Sequence, residues 1–268
     1  MTPSNNETPR SYQPVPTCSA KSNSVGGQKG SETMNEQEVL RVLDKVGAVI
    51  DGHFVYASGR HGKAYFNKDA VYPHTQDTSC FCREIAKRFL GDRVEVVIAP
   101  AIGGLIISQW TAHHLTEMTG REVFSVYADK SEQLGSALWY ICFGLRLLWK
   151  SIPQLGQAPK EYFAIKRGYD KFIAQKNVLV VEDILTTGRS AKKVIKAARA
   201  IGGNVIGLGA ICNRGGIEPQ DVADVPKFTC LVDVKLDAWD EADCPLCDSR
   251  VPINTDVGKG KEFLARRL

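Results

Sequence analysis

Neither sign of charge dominates this sequence: 34 Lys and Arg face 30 Asp and Glu over 268 residues, a formal +4. That balance implies no nucleic-acid or membrane partner by itself and leaves a small anion free to bind. Cysteine is scarce, 8 in the whole chain, too few for a disulfide scaffold, and no cleavable signal peptide is recognisable. Free thiols in a reducing cytoplasm are therefore expected. Internal repeats are lacking, and the most apolar stretch, Leu134 to Trp149 with Arg146 inside it, is shorter than the about 20 residues that cross a bilayer. With 43% hydrophobic residues the chain has ample core material, which excludes collagen, coiled-coil and wholly disordered classes.

What is present is organised unevenly. Met1 to Thr33 is rich in Ser, Asn, Pro, Gly and Thr and poor in anything that can be buried, so a disordered tail is expected there, with an ordered domain over 34–268. Val39, Leu40, Leu43 and Val46 recur at helical spacing and open that domain. Strand-like runs follow at Val94 to Ala99, Val123 to Tyr127, Val178 to Val181 and Val205 to Cys212. Between them, helical patterns run to about Met118 and from about Ser190 to Ile201, each stopped by glycine. Such alternation predicts an α/β fold, a mainly parallel sheet flanked by helices, with ligands beyond the carboxyl ends of its strands. The apolar Leu134 to Trp149 segment breaks the rhythm and reads as part of an insertion over about 131–159.

Chemistry concentrates in Val178 to Ser190, VLVVEDILTTGRS. An apolar strand carries two adjacent carboxylates, Glu182 and Asp183, to the sheet edge, and a Thr186-Thr187-Gly188-Arg189-Ser190 loop opens a helix. Backbone N–H groups at a helix start, with Thr and Ser hydroxyls beside them, cradle a phosphate, and Gly188 lets the backbone come close. The acids would repel that phosphate, so their natural partners are sugar hydroxyls, directly or through a cation. A second loop, Pro100-Ala101-Ile102-Gly103-Gly104, also lies between strand and helix and suits another anion. No Walker A spacing is present.

The first of these segments resembles the 5-phosphoribosyl 1-diphosphate (PRPP) signature of the type I phosphoribosyltransferases. The resemblance implies that family's fold, including a small hood built by N-terminal and C-terminal segments. It also implies that Glu182 and Asp183 hold the ribose hydroxyls, that Ile184, Leu185, Thr186, Thr187, Gly188, Arg189 and Ser190 form the 5′-phosphate loop, and that Ala101, Ile102, Gly103 and Gly104 contact the diphosphate. The stretch Gly52 to Asn67 is similar to the hood of orotate phosphoribosyltransferases, with Tyr65 or Phe66 placed to stack on a pyrimidine, and Arg214 stands where those enzymes set an Arg near the base carboxylate. Lys166-Arg167-Gly168-Tyr169 and Cys244-Pro245-Leu246-Cys247 are similar to elements of a bacterial and archaeal subset of them.

The activity this resemblance implies is phosphoribosyl transfer from PRPP to orotate through an oxocarbenium-like sugar, with no protein nucleophile. Lys166, Arg167 and Lys130 are the candidate cations for the leaving diphosphate, and Asp183 is the fourth candidate catalytic residue. Mg²⁺ is the implied cofactor, held mainly through PRPP and secondarily by Asp183. A homodimer without nucleic-acid or membrane partners is implied as well. Three departures stand out: Ala57 is uncharged where better-known members carry Lys, no His follows Lys130, and the apolar insertion occupies that loop region. They leave open a purine or uracil as the accepted base, or a non-catalytic PRPP-binding regulator. Cys244 and Cys247 have the spacing of half a zinc site, but no second close pair at comparable spacing accompanies them, so a reduced structural turn is expected. The adjacent His113 and His114 point different ways along a helix and make a poor metal site.

Overall fold

The computed structural model describes residues 33–56, 58–132 and 161–266. The expected tail up to residue 32, Ala57 and residues 133–160 of the expected insertion lie outside the described residues. Helix α1 (Glu36–Lys45) starts where Asn35 closes a capping box: its side chain accepts from the Glu38 N–H at 3.0 Å, and the Glu38 carboxylate accepts from the Asn35 N–H at 2.9 Å. The periodic Val39 and Leu43 are buried. A two-stranded antiparallel hairpin, β1 (Val49–Val55) and β2 (His61–Phe66), follows, with a bulge between Asp51 and Phe54.

The main sheet is built from β3 (Val96–Pro100), β4 (Phe124–Glu132), β5 (Glu161–Ala164), β6 (Asn177–Leu185), β7 (Asn204–Asn213) and β8 (Phe228–Asp233). Its order is β5-β4-β3-β6-β7-β8, parallel throughout except for the antiparallel edge strand β5. Crossovers are α3 (Gly103–Thr119) between β3 and β4, α4 (Asp170–Ile173) before β6, and α5 (Arg189–Ala200) between β6 and β7; α2 (Thr75–Arg88) precedes β3. From β3 the chain steps outward to β4, then returns to the other side of β3 with β6. That reversal leaves a crevice beyond the carboxyl ends of β3 and β6, where a ligand has room.

Period-2 alternation in the central strands explains the layering. Val97, Ala99, Leu179 and Val181 face one core with Leu43, Phe81, Ile85 and Ile107 from α1, α2 and α3. Val96, Ile98, Val178 and Val180 face the other, with Ile173 of α4 and Val194, Ile195 and Ala198 of α5. Both faces are covered, so these strands read as unbroken apolar runs rather than alternating ones. Asp183 continues the register of Leu179 and Val181 and so emerges on the α3 side.

Strand ends differ from the expected ones. The apolar run Val178 to Val181 is the first half of a strand that continues to Leu185, because the ladder with β7 holds as far as Leu185 and Asn213. Both acids are strand residues, as expected, and so are Ile184 and Leu185, expected in the phosphate loop. Likewise β4 outruns Val123 to Tyr127 and carries Asp129 and Lys130 on a hairpin ladder with β5. At the C-terminus, α6 (Pro245–Asp248) and α7 (Gly260–Ala265) pack by the β1/β2 hairpin, with bridges pairing His53 with Ile253 and His61 with Trp239. N-terminal and C-terminal segments thus meet, as the hood implies.

Phe81 is fully buried in the first core, whereas Phe172 is 39% exposed. Phe81→Ala should cost about 3–5 kcal/mol, and Phe172→Ala should cost clearly less, in urea unfolding followed by circular dichroism.

Candidate active site

The crevice is an open cleft of about 790 Å³ between the loop after β3 and the loop after β6. Its floor is the acid pair. Asp183 is gripped by three groups from outside its own strand. Tyr72 donates its hydroxyl to Oδ2 of Asp183, the Lys68 ammonium lies 3.1 Å from that same oxygen, and Gly103 packs so closely that a Cβ there would sit 2.4 Å from it. Oδ1 accepts from the Ile184 N–H at 2.6 Å. Burial works against the Lys68 charge, but Asp183 and Asp69 outweigh it and hold its pKa above the usual lysine value. Burial and the Asp183 charge push the Tyr72 phenol well up, so Tyr72 remains a hydrogen-bond donor.

Glu182 is the less satisfied acid. Burial first, and then the neighbouring Asp183, raise its pKa well above the ordinary glutamate value. Its Oε2 is buried without a hydrogen-bond partner among the described residues. An oxygen so placed wants a hydroxyl or a hard cation.

Beyond the acids, Gly188 takes a left-handed conformation (φ 63°) as N-cap of α5, and the first turn of that helix holds no acidic residue. The N–H groups of such a first turn lack helical partners and favour an anion, and Thr187 to Ala191 line the cleft. The next loop supports this one. Arg214 and Gly215 both donate their N–H groups to the Leu185 carbonyl, at 2.9 and 3.0 Å, and the Arg214 guanidinium reaches the Thr186 hydroxyl at 3.2 Å. Asn213 clamps the turn by bonding both the N–H and the carbonyl of Ile217.

Most of the expected site residues come together. Thr186, Thr187, Arg189, Ser190, Ile184 and Leu185 line the cleft, as do Ala101, Ile102 and Gly103, with Tyr65, Phe66, Lys130 and Arg214 around them. Four placements differ from expectation. Gly104 is buried within α3, where a Cβ would meet Ala99 Cβ at 2.7 Å; it lets helix and strand pack and does not line the cleft. Phe66 is 5% exposed and belongs to the first core, leaving Tyr65, tilted against Phe54 at 5.6 Å, as the aromatic nearer the opening. Lys166 bonds Ser131 at 2.8 Å and Arg167 sits 3.8 Å from Asp129, so both stay outside the cleft lining of their own chain. His113 and His114 do approach each other and Glu117. Both nitrogens of His114 are already engaged, with Ser79 and Glu117.

Sequence reasoning missed Lys68 and Tyr72. Their signal was faint: Lys68 follows the Tyr65-Phe66-Asn67 segment directly, but Tyr72 meets Asp183 across 111 positions of chain.

Comparison with solved structures places the fold. It is similar to orotate phosphoribosyltransferase from Mycobacterium tuberculosis H37Rv, with a TM-score of 0.52 and 18% identity, covering 74% of this chain and 96% of that one. The orotate phosphoribosyltransferase from Aeropyrum pernix gives 0.50 at 23% identity, covering 73% and 93%. The parallel sheet, its switch point and the two loops beside it are those of the type I phosphoribosyltransferase fold. No protein-family model matches the chain. Curated relatives do: orotate phosphoribosyltransferase from Thermoanaerobacter sp. (strain X514) is 31% identical over 220 residues, 82% of this chain and 96% of the relative. That from Thermus thermophilus is 30% identical over 216 residues, 81% and 98%. The chain belongs to the orotate phosphoribosyltransferase family.

The raised pKa of Glu182 ties the stability of the fold to pH. A carboxyl with a raised folded value stabilises the fold while protonated, below its unfolded value of about 4.3, and loses that contribution as pH rises through the folded value. Glu182→Gln cannot ionise. Melting temperatures taken without substrate or magnesium should show the variant gaining on the parent as pH climbs from the ordinary carboxylate range upward; a constant difference would remove the assigned burial penalty.

Proposed function

We propose that this chain transfers the phosphoribosyl group of PRPP to N1 of orotate, giving orotidine 5′-monophosphate and diphosphate. The observation that carries this reading is the acid pair ending a buried strand directly ahead of an anion-binding helix start, within one cleft shared with a second anion loop. Membership of the family supplies the substrate. A ribose 5-phosphate spans the two halves, with its hydroxyls on Glu182 and Asp183 and its phosphate on the amides and hydroxyls from Thr186 to Ser190. The diphosphate then falls toward Ala101, Ile102 and Gly103.

Orotate enters from the hairpin side. Tyr65 offers an aromatic face, and Arg214 offers a planar donor fork suited to the orotate carboxylate. As the C1–O bond loosens, positive charge on the sugar is steadied by the acids below it, while Lys68 and Lys130 stand on the cleft wall where negative charge gathers on the leaving group. Lys68 is already paired with Asp183, so it positions that carboxylate in the resting state.

Magnesium fits this donor set: the acids offer hard oxygen ligands, and Glu182 Oε2 lacks a partner among the described residues. Asp183 and Glu182 would meet it alongside PRPP, and when bound it makes diphosphate a better leaving group. Lys166 and Arg167 lie off their own cleft, which favours a homodimer in which each subunit lends this pair to the other's cleft. A cytoplasmic setting suits such chemistry; among the described residues no helix is long and apolar enough to cross a membrane.

Ultraviolet assay of the purified chain with PRPP, Mg²⁺ and a panel of bases tests the reading: orotate should be consumed, and turnover of uracil or hypoxanthine without orotate would overturn the base assignment. Asp183→Asn should lower kcat/KM by roughly 10²-fold or more while the circular dichroism spectrum stays unchanged. Mixing Asp183→Asn with an inactive Lys166→Ala/Arg167→Ala variant should restore activity, since a heterodimer keeps one composite site intact; no recovery contradicts sharing of the basic pair.

A further inference from the structure

Away from the cleft, the hairpin and the C-terminal segment bring together His53, His61, Cys244 and Cys247. One ligand atom of each lies within 4.8 Å of all the others. The second pair that the Cys244-Pro245-Leu246-Cys247 spacing lacked is a pair of histidines, about 190 positions earlier in the chain. His53 Nε2 lies 2.9 Å from His61 Nδ1, 3.6 Å from Cys244 Sγ and 3.7 Å from Cys247 Sγ, and Cys247 Sγ lies 3.3 Å from His61 Nδ1. Around an ion with N bonds of about 2.0–2.1 Å and S bonds of about 2.3 Å, tetrahedral edges come out at roughly 3.3–3.8 Å. The three contacts to sulfur fall in that range, and the nitrogen pair needs to open by only a few tenths of an ångström.

The surroundings are those of a metal centre as well. His53 Nδ1 is 2.8 Å from the Val251 carbonyl, which can only accept, so Nδ1 carries the proton and Nε2 presents its lone pair to the cluster. A second hydrogen bond of this kind orients metal-binding histidines. His53, His61 and Cys244 are buried at 1%, 0% and 0% exposure. Two thiolates and two neutral imidazoles around a divalent ion sum to zero charge, which a buried site tolerates.

We propose that His53, His61, Cys244 and Cys247 bind a zinc ion that staples the C-terminal segment onto the β1/β2 hairpin. Two thiolates exclude magnesium and calcium, and two imidazoles exclude an all-sulfur iron cluster. All four positions are filled by protein, so the site is closed and structural, with no open place for a substrate. None of the four residues lines the cleft. The staple instead fixes the hairpin whose far end delivers Tyr65, with Lys68 just beyond it, to the cleft wall. Backbone bonds already run along this seam: the Asn254 N–H to the His53 carbonyl at 2.7 Å, and reciprocal bonds between His61 and Trp239.

Elemental analysis of the full chain, purified under reducing conditions and exchanged into zinc-free buffer, should give about one zinc per chain. Cys247→Ser and His61→Gln should each cut that severalfold or more. As a check that does not depend on a variant folding, Co²⁺ added to metal-stripped parent should produce tetrahedral visible bands and a thiolate-to-cobalt charge-transfer band. A parent that holds less than about 0.1 zinc per chain both as purified and after zinc is added back, with no such cobalt spectrum, overturns the proposal. Full zinc retention in both folded variants overturns it equally. In either case the four side chains would form only a hydrogen-bonded cluster, and orotate turnover, read separately, would still report on the cleft.

Discussion

Two adjacent carboxylates at the end of a buried strand are the constraint on which the rest of this molecule turns. Burial and the neighbouring Asp183 charge both work against a second ionised carboxylate at Glu182. The protein answers unequally. Asp183 receives Tyr72, Lys68 and the Ile184 N–H, while Glu182 is left with one buried oxygen unpartnered among the described residues and a raised pKa. Such unevenness is costly in a resting protein and useful in one that must grip a polyhydroxylated, cation-bearing ligand. The glycine of the opposite loop follows from it, since any Cβ at Gly103 would collide with the Asp183 carboxylate.

The sheet makes that arrangement geometrically possible. Strands covered on both faces hold their ends rigidly, and the order reversal at β3 and β6 opens space only at the carboxyl edge. The loop after β7 adds a third layer of support through Arg214, Gly215 and Asn213, which bind the Leu185 carbonyl and the Ile217 backbone.

How much of this was legible depended on distance along the chain. The acid pair with its following loop and helix could be read because strand, loop and helix start are contiguous and each leaves a local pattern. Layering was legible for the same reason: apolar runs bounded by glycines. The reach of β6 through Ile184 and Leu185 was not, because its end is held by a ladder to β7 that no local pattern shows. Phe66 looked like a stacking residue and serves the core; Gly104 looked like an anion contact and serves helix packing. Lys68 and Tyr72 converge on Asp183 from more than a hundred positions away, and the two histidines meet the two cysteines across the two ends of the domain. Only the fold brings such pairs together.

A crystal structure of the chain with PRPP and Mg²⁺ tests the central claim most directly. The account requires the ribose hydroxyls to lie on Asp183 and Glu182 and the 5′-phosphate on the amides between Thr186 and Ser190. A PRPP molecule bound with its ribose turned away from both acids, or with its 5′-phosphate off the α5 start, would contradict it.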